Sequence, residues 1–215
     1  QKPKSFVELT AGVSIPARDF AATDFSKPES GFANTGFGFS FAYENRLTYN
    51  FGINGTLLLS SHSVNQQAYR DEIRSDTLTG PITISTKNWG TFGLLTGPFL
   101  YLPVSRQFSV DFRALGGFYS AYSPEVVITG TTDQGENFAL SLLKYNGMGF
   151  VFDLGTTLRF HFGSSAYLLI KGDYIYSTAK FKNIKWLDRD GEIITRSFDQ
   201  DLQTINIMTG VGYAL

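Results

Sequence analysis

The sequence has no cysteine, so it can form neither a disulfide framework nor a lipidated N-terminal cysteine, and it suits an oxidising periplasm, where stray thiols mispair. Charge is scarce as well. Asp, Glu, Lys and Arg make up 17% of the 215 residues, below the usual quarter. The formal net charge of −1 leaves no basic face for a polyanion, which excludes nucleic acid as a partner. Long apolar runs are missing too: no stretch approaches the ~20 residues that a membrane-crossing helix requires. The opening QKPKSF lacks a charged start followed by an apolar core, so any signal peptide is expected to have been removed, with Gln1 as the mature start. No composition shift or Pro/Ser-rich linker divides the chain, and a single domain over residues 1–215 is expected.

What the sequence has in quantity is Gly (22), Phe (20) and Tyr (11), and these recur with period two, the signature of a strand whose successive side chains point to opposite faces. Val7, Leu9, Ala11, Val13 and Ile15 alternate with Glu8, Thr10, Gly12 and Ser14. Phe37, Phe39, Phe41 and Tyr43 alternate with Gly38, Ser40, Ala42 and Glu44, and after a polar turn placed at Asn45 and Arg46 the pattern resumes from Leu47 to Leu59. Residues 89–103 are apolar on both faces, and Pro98, which has no N–H to donate, predicts a bulge or register change near Gly97. Further alternations centre on Phe108–Tyr119, Gly147–His161, Ala166–Tyr176 and Ile205–Leu215. Together these make eight strands. Three connections are short, and the other four are long.

That layout predicts an all-β fold, an eight-stranded antiparallel up-and-down transmembrane β-barrel with three short periplasmic turns, four long extracellular loops and both termini periplasmic. Charge placement decides which face meets lipid. The charged residues on strands are Glu8, Glu44, Asp111, Arg113, Asp153, Arg159, Lys171 and Asp173, and all fall on the small, polar side. A water-facing exterior would carry more Lys and Glu. The bulky side, with Phe37, Phe39, Phe41, Phe51, Phe112, Phe150, Phe152 and Ile207, is therefore assigned to hydrocarbon. The eight charges become a lumen network in which Arg113, Arg159 and Lys171 pair with the carboxylates. Tyr43, Tyr49, Phe108, Phe162 and Tyr213 predict an aromatic girdle near the short turns, and Trp89 and Tyr176 are placed at the opposite rim.

Chemistry-bearing motifs are few. His62 lies between Ser61 and Ser63, the makings of a hydrolytic site only if a hydroxyl, a base and an orienting acid converge. The plainer reading is an exposed loop histidine. His161 is expected in the lumen. Asp188, Asp190 and Glu192 faintly resemble an oxygen-ligand calcium loop without its full spacing, and Asp190-Gly191 reads better as a hairpin turn. Asn54-Gly55-Thr56 matches a glycosylation triplet but sits inside a strand. No catalytic residue, metal site or cofactor is assigned. Apolar segments flank Asp190-Gly191 and the stretch Asp133 to Gly135, so the last two long loops are expected to rise as β-ribbons that either offer edges to another protein or pack across the mouth.

In its Gly-rich aromatic strands, such as GFGFSFAYE, and its closing INIMTGVGYAL, the chain resembles the small outer-membrane barrels of Bacteroidota, the PorT-like group, similar in architecture to OmpX and the OmpA barrel. The resemblance spans nearly the whole chain. It implies a non-enzymatic integral barrel that serves as an accessory or structural subunit of an envelope or protein-export complex of the type IX kind. Its partners would be outer-membrane lipid (lipopolysaccharide and phospholipid) and envelope proteins met through the extracellular loops or periplasmic turns. The alternatives are a narrow passive pore for small solutes or ions and an outer-membrane lipid-modifying hydrolase.

Overall fold

A strand with one bulky apolar row and one small polar row needs different surroundings on its two sides, and closing the sheet on itself removes the unpaired edges that either solvent would leave. The computed structural model of the chain, which describes residues 5–27, 29–76, 82–131, 137–162, 165–187 and 193–215, takes that solution. In chain order its elements are β1 (Ser5–Ala17), β2 (Gly36–Arg46), β3 (Phe51–His62), α1 (Gln66–Asp76), β4 (Ile82–Thr86), β5 (Trp89–Pro103), β6 (Phe108–Tyr122), β7 (Val126–Thr131), β8 (Asn137–Leu142), β9 (Asn146–Phe162), β10 (Ala166–Leu187) and β11 (Ile193–Ala214). The closed barrel runs β1-β11-β10-β9-β6-β5-β3-β2. This is the eight-stranded up-and-down barrel that the alternation predicts.

Residues 47–50 and 104–107 make two short turns, and the third short connection, between β9 and β10, includes residues 163–164, which lie outside the described residues. The first two are fixed by side-chain hydroxyls: Phe51 N donates to Thr48 Oγ1 (3.1 Å) and Phe108 N to Ser105 Oγ (3.1 Å). Both ends of the barrel chain lie at this end, where Leu215 N donates to Ser5 O (2.9 Å). The first turn corrects an expectation. β2 continues through Arg46, because Asn45↔Ile53 and Arg46↔Gly52 still pair, and the turn begins at Leu47. Pro98 brings a second correction. Pairing of β3 with β5 is continuous through Ile53↔Pro98, and pairing of β5 with β6 passes from Thr96↔Gly116 to Phe99↔Arg113 in one register. The missing donor interrupts the ladder beside Gly97 and Pro98, but no residue is added and the register does not shift.

The outward rows form an apolar belt in which Phe37, Phe41, Phe51, Phe112, Phe150, Phe152 and Ile207 are exposed, with Phe39 half-buried. The few hydroxyls within the belt satisfy themselves: Thr96, Thr156 and Thr209 donate to the carbonyls of Asn54 (2.9 Å), Asp111 (2.8 Å) and Leu169 (3.2 Å) on neighbouring strands. That is the expected behaviour of a polar group with no water to bond. At the long-loop end of β10 and β11, the exposed Lys180–Asp199 pair (3.7 Å) marks the return of charge to the outer surface. Tyr43, Tyr49, Phe162 and Tyr213 point outward near the short turns, and Tyr176 points outward toward the other end.

The long connections are structured beyond what the pattern predicts. β10 and β11 keep pairing past the barrel to Leu187↔Ile193, forming the expected ribbon, while its turn at residues 188–192 lies outside the described residues. β7 and β8 form the other ribbon, whose turn at Asp133 to Gly135 also lies outside them. β4, from the preceding connection, pairs with β7 to complete a three-stranded sheet, order β4-β7-β8. α1 begins where Asn65 caps it, its Oδ1 accepting from Ala68 N (3.1 Å). Tyr69 and Ile73 of α1 lean on a small core of Ile82, Ile84, Val126 and Ile128.

Leu154 stands midway along β9 and is 62% exposed on the belt. Leu154→Arg is expected to destabilise the barrel by about 2–4 kcal/mol in a bilayer, measured as a lowered urea midpoint for unfolding from phospholipid vesicles; an unchanged midpoint would mean that the belt meets water.

Candidate functional site in the lumen and mouth

Side chains on the inward rows fill the cylinder in layers. Nearest the short turns, Phe6 and Tyr101 stack at 6.0 Å, with the Arg46 guanidinium over both rings (5.0 and 4.6 Å). His161 is half-buried beside them, its Nε2 3.1 Å from Ser109 Oγ and its ring 5.3 Å from Tyr167. Arg46 is buried and belongs to the lumen, although the sequence reading placed it in a turn. Its signal was present: it follows Glu44 at the strand spacing.

The next layer is ionic. Arg159 is completely buried and meets three carboxylates: Nε donates to Glu8 Oε1 (2.8 Å), Nη2 to Glu44, and Nη1 pairs with Asp111. Its flat face lies 5.0 Å from the Phe6 ring and 5.4 Å from that of Tyr167, whose hydroxyl donates to Glu8 (3.2 Å). Arg113 donates to Asp173 and to Thr157 Oγ1 (2.6 Å), and its Nε stands 3.5 Å from Asp153. Lys171 Nζ lies 3.4 Å from Ser40 Oγ and 4.0 Å from Glu8. The eight charges that the alternation places on the polar side thus face inward, gathered in two groups: one around Arg159 with Lys171 beside Glu8, the other around Arg113. Glycines on the same rows make room for them. A Cβ on Gly155 would collide with the Asp173 carboxylate, and one on Gly212 with the Tyr167 ring. Asn54, in the glycosylation-like triplet, is a buried member of this layer and donates to Glu44 (2.8 Å).

Above the charges the lumen is mixed, with hydroxyls such as Ser60 and Thr91 bonded to each other (2.6 Å) between apolar side chains. Leu58, Leu95, Leu115, Val151, Ile175 and Met208 belong to one buried cluster that continues to Trp89, Phe181 and Phe20 at the long-loop end. Phe20 comes from the first long connection and folds into the mouth edge-on to His62 (5.1 Å) and to Trp89 (5.6 Å). Trp89 therefore corrects the girdle assignment. Odd-numbered positions of the first part of β5 face inward, and the indole donates to Gly31 O (2.9 Å) rather than sitting at the rim.

His62 is likewise not an exposed loop histidine. β3 keeps its alternation to the last residue, so position 62 faces the lumen and is fully buried. A carbonyl can only accept, so in the neutral ring Nδ1 donates to Asn34 O (3.1 Å) and Nε2 accepts from the Ser14 hydroxyl (3.2 Å). The hydroxyl partner is thus Ser14 and neither flanking serine: Ser61 accepts from Asn88 (3.3 Å) and Ser63 from Asn34 (3.5 Å). The imidazole's ring nitrogens contact a carbonyl and a hydroxyl, and Phe20 closes the approach from the mouth. Asp188, Asp190 and Glu192 lie outside the described residues.

Over the Phe20–Trp89 plug, all four long connections wall a cavity of about 550 Å³ whose lining includes Phe32, Tyr69, Trp89, Tyr145 and Phe198. Phe32 adopts φ of 49°, a left-handed conformation unusual for an aromatic residue. It is held there by its N–H to Ala22 O (3.0 Å) and its carbonyl, which accepts from Asn65 N (2.7 Å). Strain of this kind persists only where surrounding bonds enforce it.

No protein-family model and no curated protein matches the sequence. Solved structures do. A major outer membrane protein from Thermus thermophilus is similar over 98% of this chain and 99% of that one, with a TM-score of 0.50 at 10% identity. Ail, the attachment invasion locus protein of Yersinia pestis, covers 100% of both chains with a TM-score of 0.49 at 13% identity. OprG of Pseudomonas aeruginosa matches 100% of this chain and 97% of its own, with a TM-score of 0.44 and 13% identity. The likeness to the Thermus protein shows that this chain has the fold of an outer-membrane β-barrel; at such identity it carries the fold and not the activity.

Arg159→Met would leave Glu8, Glu44 and Asp111 buried around a neutral side chain. The expected loss is about 3–5 kcal/mol of folding stability, read as an earlier urea transition from vesicles, while Lys180→Met in the exposed pair should produce no measurable shift.

Proposed function

We propose that the chain is an integral barrel of a bacterial outer membrane that works without catalysis, as an accessory or structural subunit of an envelope or protein-export complex. Phospholipid and lipopolysaccharide surround its belt, and its partners dock on the long-loop end. The observation that carries this reading is the β4-β7-β8 sheet, which stands on its own small core outside the barrel. Among the described residues, the outer edges of β4 and β8 pair with no further strand. An exposed edge presents unpaired N–H and C=O groups and is a template for an added strand. The resemblance of GFGFSFAYE and INIMTGVGYAL to PorT-like barrels of Bacteroidota supplies the finer suggestion, a subunit of type IX-like secretion.

The packed lumen weighs against the passive pore. An eight-stranded barrel has an interior just wide enough for side chains, and here buried side chains occupy it from the Arg159 layer through Leu58, Leu95 and Met208 to Phe20. Lipid hydrolysis has in its favour only the Ser14–His62 hydrogen bond, which lies buried beneath Phe20.

Affinity isolation of the tagged chain from native membranes in mild detergent is expected to recover envelope proteins, and deletion of residues 125–143, which carry β7 and β8, is expected to lose them while the barrel still inserts. Three results would overturn the proposal: recovery of the barrel alone, steady ion conductance by the purified protein in planar bilayers, or lipid turnover abolished by Ser14→Ala.

A further inference from the structure

The mouth cavity has a chemical character that the partner-docking reading does not use. Its volume of about 550 Å³ falls in the range of small-ligand sites, which are mostly apolar with a few placed polar groups. Phe25, Phe32 and Tyr69 form a ring cluster on one side, with centroids 4.8 to 5.1 Å apart. Lys27 is the one charged side chain in the lining, and no carboxylate side chain joins it among the described residues. The nearby Asp24 carboxylate is outside the lining and accepts from Ser26 N (2.8 Å). Ser30, also in the lining, has a buried hydroxyl with no hydrogen-bond partner among the described residues. That hydroxyl is closed off from the cavity space, so Lys27, whose charge also acts on Asp24 outside the lining, is the group of the wall that can meet a ligand's charge.

We propose that this cavity binds a small amphipathic monoanion, an apolar ring or acyl body bearing one carboxylate, with the body seated among Phe32, Tyr69 and Phe198 and the acid group met by Lys27 Nζ. A cationic ligand would meet Lys27 unfavourably, and a neutral one would leave the charge unused. The ligand enters from the long-loop side, where Phe25 and Leu143 are exposed at the rim. The Phe20–Trp89 plug beneath makes the cavity a receptor site and not the vestibule of a channel.

Trp89 lines the cavity, and the chain has two tryptophans, so a Trp186→Phe background leaves one indole as reporter. The full chain in phospholipid nanodiscs is titrated with p-nitrobenzoate and with ω-bromodecanoate, both quenchers of indole emission, and with the corresponding alcohols. At least one acid is expected to quench saturably and more tightly than its alcohol. Lys27→Gln should weaken the acid about tenfold, as expected for a charge-assisted bond lost, while leaving the alcohol unchanged. Ser197→Phe, at an exposed wall position of β11, should block both, with β-sheet circular dichroism retained. Preference for the ring acid points to a soluble compound, and preference for the acyl acid to a product of lipid, within the same site chemistry. Quenching that never saturates, that is equal for acid and alcohol, or that is untouched by both substitutions would overturn the proposal.

Discussion

Backbone pairing around a closed ring is the constraint on which the other features rest. In hydrocarbon an unpaired amide or carbonyl has no water to turn to, and pairing of β1 with β11 from Phe6↔Ala214 to Ala17↔Gln203 leaves no edge in the belt. Closure has a second consequence. Alternation sends every other side chain into a cylinder too narrow to hold eight rows of large residues, so glycine and large side chains must share the inward faces. The Gly155 and Gly212 positions, pressed against Asp173 and Tyr167, show that sharing at the level of single atoms.

The same narrowness explains why charge sits where it does. A charge on the belt would face acyl chains; a charge inside meets counter-charges within a few ångströms. Arg159 can satisfy three carboxylates because β1, β2 and β6 each deliver one to its layer, and the Phe6 and Tyr167 rings cover its remaining faces. The network ties strands far apart in sequence, since Glu8 and Arg159 are 151 residues apart. It specifies how the ring closes, and the packed side chains and Phe20 plug above it fill the lumen. What is left open to the outside is the mouth, with its sheet and its cavity.

The barrel was legible in the sequence because period two survives in nearly every strand, and because hydrocarbon and lumen demand opposite residue types on the two faces. The lumen charges were legible for the same reason. What failed did so where local pattern gives way to tertiary packing. Trp89 looks like a rim aromatic by its place at a strand end, but the phase of β5 turns it inward. His62 looks exposed among serines, yet β3 holds its phase to that residue and the first long connection folds over it. α1 escaped notice because its polar run, QQAYRDEIRSD, shows only a weak apolar stripe, although the Asn65 cap followed by Tyr69 and Ile73 was a readable start signal. The pairing of β4 with β7 joins two different loops, and no periodicity within either one announces it.

Closure, lumen charge and outward belt all require the bulky side of the strands to lie against acyl chains. Because the chain has no cysteine, a single nitroxide can be attached at Phe152, which is 61% exposed, and its collision rates with oxygen and with a water-soluble nickel chelate measured in a phospholipid bilayer. High oxygen and low chelate accessibility, reversed for a label at Ser63 in the loops, is the expected result. A label at Phe152 that collides with the chelate as freely as one at Ser63 would contradict the account.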